Sequence, residues 1–439
     1  MKKLIFALAC MFLAIPCQAR IITVDDDGPA DFNNIQAAIN DANDGDIIEV
    51  QIGTYTGPGN RDIDFGGRAI ILRSENGPQN CIIDCQGSDY AINRGFYFHN
   101  AEDTNSVVDG FTIINGYVYD YGGGIYCNGA SPIIINCALT NNKAVGIPGW
   151  DWGMPGEDAY GGGIYCTTNS HLTIKNCIIA DNECRGGDGG PGGMGLPGAG
   201  GSAYGGAIYG GNLTIQNCVI ANNTASAGNG VGMGELPVGS GAVCYIVDST
   251  VSITNSIIWD CLSFKPEIVL DSQDSSSVMA ISYSDIQDGQ SQVETCTGCL
   301  LIWANNIDVN PRFANAANGD YHLQSQAGRW NPNSQGWIKD AVTSPCIDAG
   351  GLTSDWTAEL WRHGKRINMG AYGGTPEASM SLSDVGNIAD LDNDDFIDFN
   401  DFMLYTEKWL NQQFLLSEDL NRDGAVDFTD FAVFAENWQ

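Results

Sequence analysis

The chain has 439 residues, a length that allows one elongated repeat domain or two to three compact domains. Its 53 acidic residues outnumber its 19 lysines and arginines, and the formal net charge is −34. Because phosphate groups need cationic partners, this charge argues against binding to nucleic acid or to an anionic membrane surface. It also disfavours an acidic polysaccharide, unless a bound cation bridges the like charges.

Residues 1–19 have the pattern of a secretory signal peptide. Two lysines are followed by an apolar stretch and by a small residue at the expected cleavage site. The stretch is too short for a membrane span, and no later segment approaches the ~20 apolar residues that a transmembrane helix needs. We therefore expect an exported protein that is secreted or associated with the cell surface.

Residues 31–55 predict a helix followed by a strand. In "IQAAINDA" the apolar residues recur at helical spacing, and "DIIEVQIGTY" then reads as a first strand. A repeat protein whose end coil is open exposes its apolar interior to water. We therefore predict that this helix caps the N-terminal end of the domain that follows.

One hexapeptide recurs along the middle of the chain. The sequence "GGGIYC" occurs at 122–127 and 161–166, and the near copy "GGAIYG" occurs at 205–210. Short β-branched runs follow each copy, and a degraded fourth copy covers 240–260. The unit 161–184 reads as three short strands separated by corners, which is one coil of a solenoid. Stacked coils predict an all-β right-handed parallel β-helix, with the hand that β-strand crossovers prefer.

Asparagines and cysteines recur at matched positions of the coils. Asparagine tolerates unusual backbone angles and its amides can hydrogen-bond between coils, so we expect an asparagine column at one corner. Its members are Asn136, Asn176, Asn217 and Asn255. The recurrent cysteines fit either an interior column of small apolar residues or disulfide-bonded pairs; they are Cys127, Cys166, Cys137, Cys177 and Cys218.

The pair Cys296–Cys299, in "CTGC", is open to two interpretations. A local disulfide or a pair of free thiols in a loop is one of them. A redox or metal motif is the other, although no second CxxC is present to complete a metal site.

Three glycine-rich insertions leave the coils at the same corner, so stacking should place them along one edge of the solenoid. They cover 144–160, 185–204 and 226–239. Repeated insertions at one corner often build a binding face. In the first, aromatic rings lie beside carboxylates, a combination that suits sugar rings, although the tryptophans could instead pack against the coils. The candidate substrate-binding residues are Trp150, Trp152, Glu157 and Asp158.

The repeats and their flanks resemble the pectate-lyase-like β-helix superfamily of exported bacterial proteins. The "GGGIY" and "GGAIY" units, with following runs such as "CALTNN", are similar to the repeats of polymorphic outer-membrane proteins and adhesins, most clearly over 106–262. Residues 310–376, with "SPCIDAG" and "INMGAYGGTPE", look like the terminal region of this class. The resemblance implies a β-helix with caps over 20–378, followed by a linker at 379–385.

The sequence does not identify a catalytic site. Hydrolases of the resembled fold use clustered aspartates with "GHG" and "RIK"-type motifs, and neither motif occurs here. Its lyases need a basic residue beside calcium carboxylates, but the basic residues between 100 and 310 share no coil position. The esterase signature residues are also missing. Two suitably spaced acids would still suffice for glycoside hydrolysis, so a lyase or hydrolase and a non-catalytic adhesin or surface-structural solenoid are alternative hypotheses.

The last 56 residues form a distinct acidic unit, with 14 acidic residues against Lys408 and Arg422 over 384–439. Two 12-residue segments place oxygen ligands at positions 1, 3, 5, 7, 9 and 12 of a calcium loop. In the first calcium loop (390–401) the predicted ligands are Asp390, Asp392, Asp394, the Phe396 carbonyl, Asp398 and Asp401. In the second calcium loop (419–430) they are Asp419, Asn421, Asp423, the Ala425 carbonyl, Asp427 and Asp430.

The two loops repeat at a separation of 29 residues, and each runs into one helix. This pattern resembles a type I dockerin over 386–439, which implies a small all-α module that binds two Ca²⁺ ions and a cohesin-like or cell-surface partner. In cellulosomal dockerins, the positions that recognise the cohesin hold Ser-Thr pairs. Here the same positions hold Phe399–Asn400 and Phe428–Thr429, so a cellulosome partner is not expected. Calcium-dependent self-association is an alternative.

Position 6 distinguishes the two loops. It needs a left-handed backbone, which Gly424 adopts freely and Asp395 adopts only at a cost. We therefore predict weaker calcium binding in the first loop. Taken together, the sequence predicts an exported β-helix that binds or processes extracellular polysaccharide and is tethered or assembled through its calcium module.

Overall fold

The repeated β-branched runs form short strands whose side chains alternate between the interior and the surface. In the strand His171–Lys175, Leu172 and Ile174 are fully buried, whereas the residues between and beside them are not. Each strand pairs with its counterpart in the next coil, as Ile125–Cys127 pairs in parallel register with Ile164–Cys166. The computed structural model describes residues 19–150, 153–192, 197–230, 239–263, 267–272 and 277–438.

The strands build parallel sheets that run along the solenoid. Sheet 1 contains Ile21–Val24, Ile47–Val50, Ile71–Ser74, Val107–Asp109, Ile133–Ile135, His171–Lys175, Asn212–Gln216, Thr250–Thr254, Val278–Ser282 and Leu300–Ala304. Sheet 2 contains Gly53–Tyr55, Cys81–Asp84, Thr112–Ile114, Ala138–Thr140, Ile178–Ala180, Val219–Ala221, Ile257–Trp259 and Asp285–Ile286. Sheet 3 contains Phe96–Phe98, Ile125–Cys127, Ile164–Cys166, Ile208–Tyr209, Cys244–Val247, Ile268–Asp271 and Val293–Thr295.

Two further parallel sheets flank the insertions. Sheet 4 contains Tyr117–Tyr119, Lys143–Val145, Glu183–Arg185, Thr224–Ser226 and Leu262–Ser263. Sheet 5 contains Ala159–Tyr160, Ala203–Tyr204 and Gly239–Ser240. The strands before and after each insertion therefore stack in register, which confirms that the insertions leave the coils at one corner. All of these pairs are parallel, and the arrangement fits a right-handed parallel β-helix.

The expected strands of the unit 161–184 occur at Ile164–Cys166, His171–Lys175 and Ile178–Ala180, and a fourth strand follows at Glu183–Arg185. Near the chain's beginning lies helix α1 (Ile35–Asp41). Asn34 is its N-cap, and the Asn34 side chain accepts a hydrogen bond from the Ala37 amide. Ile35, Ala38 and Ile39 are buried on one face of α1. The capping role of this helix stays a prediction.

The asparagine column has the predicted backbone but not the predicted ladder. Asn136, Asn176, Asn217 and Asn255 all have positive φ, between 49° and 54°. Only one amide contact joins them, from Asn255 to Asn217 at 3.3 Å. The continuous ladder lies inside the next corner instead, where Asn142, Asn182 and Asn223 are fully buried and hydrogen-bond from coil to coil.

The cysteines form interior columns and not bridges between coils. Cys296 and Cys299 form a disulfide bond, which is the local interpretation of "CTGC". The Cys137 amide donates to Cys177 Sγ at 3.4 Å, so sulfur serves as an acceptor along the stack. The free, buried cysteines are Cys81, Cys85, Cys127, Cys137, Cys166, Cys177, Cys184, Cys218, Cys244, Cys261 and Cys346.

A C-terminal segment, here called the strap (346–380), lies back across the coils at the asparagine corner. Asn176 donates its amide protons to the carbonyls of Ala371, at 3.0 Å, and Gly373, at 2.8 Å. Asn217 donates to the Gly373 carbonyl at 3.0 Å. The asparagines that were expected to bond to one another therefore hold the strap, because its carbonyls compete for their amides.

Two antiparallel hairpins precede the strap, and a loop–helix pair follows it. The hairpins are Phe313–Asn315 with Asp320–Leu323, and Arg329–Asn331 with Gly336–Ile338. The C-terminal module (386–438) contains helices α2 (Phe399–Glu407) and α3 (Phe428–Asn437) around a small core of Ala389, Ile397, Leu420 and Phe434. Short 3₁₀ turns occur at Gly289–Gln292 and Ala316–Asn318. Among the helices described here, none is long and apolar enough to cross a membrane.

Candidate functional site

The first calcium loop is closed by its own carboxylates. Asp390, at position 1, accepts the backbone amides of Asp394 at 3.0 Å and Asp395 at 3.1 Å. Asp401, at position 12, accepts the amides of Asp392 at 3.3 Å and Asp398 at 2.8 Å. These bonds fold the 12 residues around a common centre.

The second calcium loop repeats the same bonds 29 residues later. Asp419 accepts the amides of Asp423 at 3.1 Å and Gly424 at 2.8 Å. Asp430 accepts the amides of Asn421 and Asp427, each at 2.9 Å. Two separate segments of the chain therefore have the same conformation. A disordered acidic tail would not produce this repetition by coincidence.

Position 6 has the expected left-handed backbone in both loops, with φ of 73° at Asp395 and 91° at Gly424. Position 4 is left-handed as well, at Asn393 and Arg422. The conformational premise of the weaker first site is thus confirmed, because Asp395 occupies the region that glycine tolerates best. The difference in affinity stays a prediction.

The residues of the two loops fit a hard cation. Asp390, Asp392 and Asp394 each bring a carboxylate oxygen within 4.8 Å of the others. Burial, followed by the charges of neighbouring carboxylates, raises the pKa of Asp392. A divalent cation relieves such repulsion, and oxygen ligands in this number are those that Ca²⁺ prefers. When bound, the ion would supply structural cross-linking of each loop.

A second site is an open groove of 860 Å³ between the coils and the strap. Its floor comes from successive coils and includes Ser74, Asp109, Asn136 and Lys175. The opposite side comes from the strap, from the two hairpins and from the C-terminal module, through residues such as Tyr372, Glu377, Asp320, Asn333 and Phe414. The side-chain amide of Asn136 donates to Asp109 at 2.8 Å and not to the strap. The groove therefore begins at the coil where the hydrogen bonds between the asparagine corner and the strap end.

The charged residues of the groove are mostly acidic. Burial raises the pKa of Asp109 above its usual range, although the hydrogen bond from Asn136 opposes this shift. Asp320 and Glu377 hold the two ring nitrogens of His322, at 2.7 Å from Nδ1 and 3.1 Å from Nε2. Burial alone would lower the pKa of His322, but these two hydrogen bonds raise it. His322 also stacks on Tyr372 at 3.6 Å between ring centroids, so it fixes the strap wall to the hairpin.

The residues predicted to bind substrate lie elsewhere, on the insertion edge. Trp150 is 78% exposed and Glu157 is exposed, whereas Trp152 lies outside the described residues. Asp158 accepts the backbone amide of Ser202 at 2.6 Å, so it joins the first insertion to the second. None of the described members of this set lines the groove.

Where the structure describes them, the insertions pack as extended glycine-rich segments, and glycine is required where backbones meet. A Cβ atom at position 190 would collide with the Trp150 carbonyl oxygen, and one at position 201 with the Glu157 carbonyl oxygen. Backbone bonds such as Gly156 to Ala199, at 2.9 Å, join neighbouring insertions. The glycine content thus serves close packing, and the exposed side chains project from a rigid edge.

A column of tyrosines on the outer face of sheet 3 was not predicted from the sequence. Rings of successive coils stack face to face, with centroids 5.2 Å apart for Tyr126–Tyr165 and 5.4 Å apart for Tyr165–Tyr209. A second column, with Tyr121, packs against the first at 4.8 Å from Tyr165. Because the ring faces point along the solenoid axis, they stabilise the stack and leave mainly their edges for solvent. The tyrosine that recurs in each "GGGIYC" copy is the sequence feature from which this column could have been predicted.

These stacked parallel sheets define the class of the protein as a parallel β-helix with a C-terminal pair of acidic loops. The family described as "Disaggregatase related" matches residues 298–350. The fold is similar to pectin methylesterase from carrot, with 14% identity and a TM-score of 0.38 over 68% of this chain and 84% of that one. It is also similar to pectate lyase Pel9A, with 15% identity and a TM-score of 0.38 over 80% of this chain and 96% of that one. No curated protein matches the sequence.

Proposed function

We propose that this protein is exported and binds an extracellular polysaccharide in the groove between the coils and the strap. The observation that carries the proposal is the open groove of 860 Å³, lined by both polar and apolar groups, whose floor crosses successive coils. Stacked strands lie about 4.8 Å apart, so such a floor offers polar groups at a regular spacing along its length. A long hydroxyl-bearing polymer matches this pattern better than a compact small molecule does.

The charges of the groove favour a neutral polysaccharide. Asp109, Asp320 and Glu377 contribute carboxylates, and Lys175 is the cationic residue among the described residues that line the groove. An acidic polymer would meet like charges here as well as across the protein, whose net charge is −34. Amide, hydroxyl and carboxylate groups accept and donate hydrogen bonds to neutral sugars without this penalty.

The calcium module supplies attachment in this proposal. Calcium bound in the two loops would order α2 and α3 and present the exposed rings of Phe399 and Phe428 to a cohesin-like or cell-surface protein. Calcium-dependent self-association is the alternative partner. Pull-down of the full chain with and without Ca²⁺, followed by its sedimentation behaviour, separates these two outcomes.

The test uses residues 20–439 with calcium and a panel of soluble polysaccharides on affinity gels. The panel contains neutral polymers (xyloglucan and mixed-linkage glucan) and acidic ones (polygalacturonate and alginate). We expect retardation by a neutral polymer, lost in Lys175→Ala and Asp109→Ala and kept in Trp150→Ala. Loss of retardation in Trp150→Ala alone would place the polysaccharide on the insertion edge, where we proposed contacts for Trp150 and Trp152, and not in the groove.

Catalysis is a second candidate function, and the carboxylates of the groove favour it. Two acids at suitable spacing suffice for glycoside hydrolysis, and Asp109 has the raised pKa that suits a proton donor. New reducing ends without unsaturated products would indicate a hydrolase, and unsaturated ends would indicate a lyase. Binding without any product would indicate a non-catalytic adhesin or surface-structural solenoid.

A further inference from the structure

We propose that the C-terminal module is part of the groove and that calcium in its second loop holds this part in place. Calcium would therefore control polysaccharide binding within the same chain, in addition to any attachment of a partner. The ligand named here rests on the proposed function, whereas the calcium-dependent structure can be tested without a ligand.

The module reaches the groove through three residues between α2 and the second calcium loop. Gln413, Phe414 and Leu415, here called the module wall, line the groove together with Pro332 and Asn333 from the second hairpin. A molecule in the groove would thus contact the coils on one side and the module on the other. Removal of the module would leave the groove open on that side.

The second calcium loop fixes the position of the module wall. A Cβ atom at Gly424 would lie 2.5 Å from the ring of Phe414, so this ring packs directly onto position 6 of the loop. Two backbone bonds add to this contact, from the Leu410 amide to the Val426 carbonyl at 2.9 Å and from the Val426 amide to the Asn411 carbonyl at 3.0 Å. The conformation of the loop therefore determines where Phe414 lies.

The same loop also holds the hairpin that supplies the neighbouring wall. The guanidinium of Arg422, at position 4, lies 4.9 Å from the centre of the Trp337 ring and donates a hydrogen bond to the Trp361 carbonyl. Phe414 packs on Trp330 with 5.9 Å between centroids. Positions 4 and 6 of one calcium loop thus act on both rings of the Trp330–Trp337 pair.

The calcium dependence follows from the charge of the loop. Asp419, Asp423 and Asp427 belong to one 12-residue loop, which hydrogen bonds to the carboxylates of Asp419 and Asp430 hold closed, so without a cation their like charges repel. Loss of the loop conformation releases Arg422 and Gly424 from their contacts with the hairpin and with Phe414. The first calcium loop reaches the strap through a different contact, between Lys365 and Asp395, and this pair does not line the groove.

The primary test is hydrogen exchange of residues 20–439 with CaCl₂ and with EGTA. We expect calcium to slow exchange at least tenfold in the hairpin Arg329–Ile338 and in residues 410–426. The internal repeat provides a matched control, because Asp423 and Asp394 occupy the same position of the two loops. Asp423→Ala should abolish the protection of the hairpin, and Asp394→Ala should retain it. Protection confined to the loops themselves, or equal loss of hairpin protection in both variants, would overturn the proposal.

A second test keeps both calcium loops intact. Phe414→Ala removes the aromatic ring of the module wall, whereas Phe399→Ala removes a ring that is 72% exposed on the same module and does not line the groove. In affinity gels with xyloglucan and polygalacturonate, we expect Phe414→Ala or EGTA to weaken retardation about tenfold and Phe399→Ala to leave it unchanged. Equal retardation with calcium and EGTA would refute calcium control and leave the proposed function standing. If wild type binds neither polymer, the proposed function fails for them, and hydrogen exchange alone decides the inference.

Discussion

The side-chain amide of Asn142 donates to Oδ1 of Asn182 at 3.1 Å, with both residues fully buried inside the solenoid. The Asn142 backbone amide donates to the same oxygen at 3.0 Å. Asn182 in turn donates to Oδ1 of Asn223 at 3.0 Å, so each coil satisfies the polar groups of the one before it. Buried polar groups of this kind need their partners, because an unpaired amide in the interior is costly.

Asn182→Ala is therefore expected to destabilise the solenoid by about 3 kcal/mol, since two amides of Asn142 lose their acceptor inside the protein. The urea midpoint of unfolding, followed by circular dichroism, measures the effect. Asn128→Ala is the control, because Asn128 lies at an exposed corner and its loss should shift the midpoint little. Equal shifts for the two variants would contradict a stabilising ladder.

A buried carboxyl group predicts a dependence of stability on pH. Burial raises the pKa of Glu359 from 4.5 to about 8, against the opposing hydrogen bonds from the amides of Asn368 and Gly374. The folded protein thus binds this proton more tightly than the unfolded chain. The contribution of protonated Glu359 to the free energy of unfolding is complete below pH 4.5 and is lost as pH rises through about 8.

Glu359→Gln should remove this dependence, because the amide keeps an acceptor for Asn368 and Gly374 without becoming charged. Thermal unfolding of both proteins between pH 5 and pH 9 measures it, and their difference should grow in favour of the variant at the alkaline end. A constant difference across this range would show that Glu359 does not titrate as described.

The first calcium loop should bind its ion more weakly than the second, since Asp395 has a left-handed backbone that costs about 1 kcal/mol outside glycine. Asp395→Gly is expected to tighten this site about fivefold, the factor that about 1 kcal/mol represents. Calorimetric titration of the full chain with Ca²⁺ resolves the two sites. Asp395→Asn, which keeps a side chain at the strained position, is the control and should gain less.

The stacked tyrosines are expected to contribute stability and not ligand binding. Tyr165→Leu removes ring contacts with Tyr126, Tyr209 and Tyr121 and should cost about 2 kcal/mol, because each aromatic pair contributes about 0.5–1.5 kcal/mol. Its urea midpoint should fall while its retardation in polysaccharide gels stays at the wild-type level. Tyr90→Leu, at a position that is 99% exposed, should change neither. Loss of retardation in Tyr165→Leu with an unchanged midpoint would assign the ring a binding role.

The repeats predicted the coils because equivalent residues must meet in register when coils stack. "GGGIYC" at 122–127 and 161–166 indeed pairs strand to strand. The fourth strand, Glu183–Arg185, was missed because three residues next to a glycine-rich insertion show too little alternation to predict a strand. The buried role of Asn142 was missed because "NN" and "DN" at the corner read equally well as turn residues.

The groove left no signal in the sequence. Its floor and its walls belong to segments far apart in the chain, and a periodic pattern reports only neighbours in the stack. Glu377 and His322, for example, are 55 residues apart and meet at 3.1 Å. Trp150, Glu157 and Asp158, which were predicted to bind substrate, do not line the groove. An exposed loop tip and the wall of a groove give the same local sequence pattern, so the sequence could not distinguish the two.

The strap also sets the order in which the molecule can be completed during synthesis. The hydrogen bond from Asn176 to the Ala371 carbonyl can form only after the ribosome has added a further 195 residues. Coils can therefore stack one by one from the N-terminus, while the groove comes into being only when the C-terminal end arrives and lies back over them. A chain that is cut short has a solenoid but no groove, so the polymer binding proposed for the groove requires a chain whose synthesis is finished.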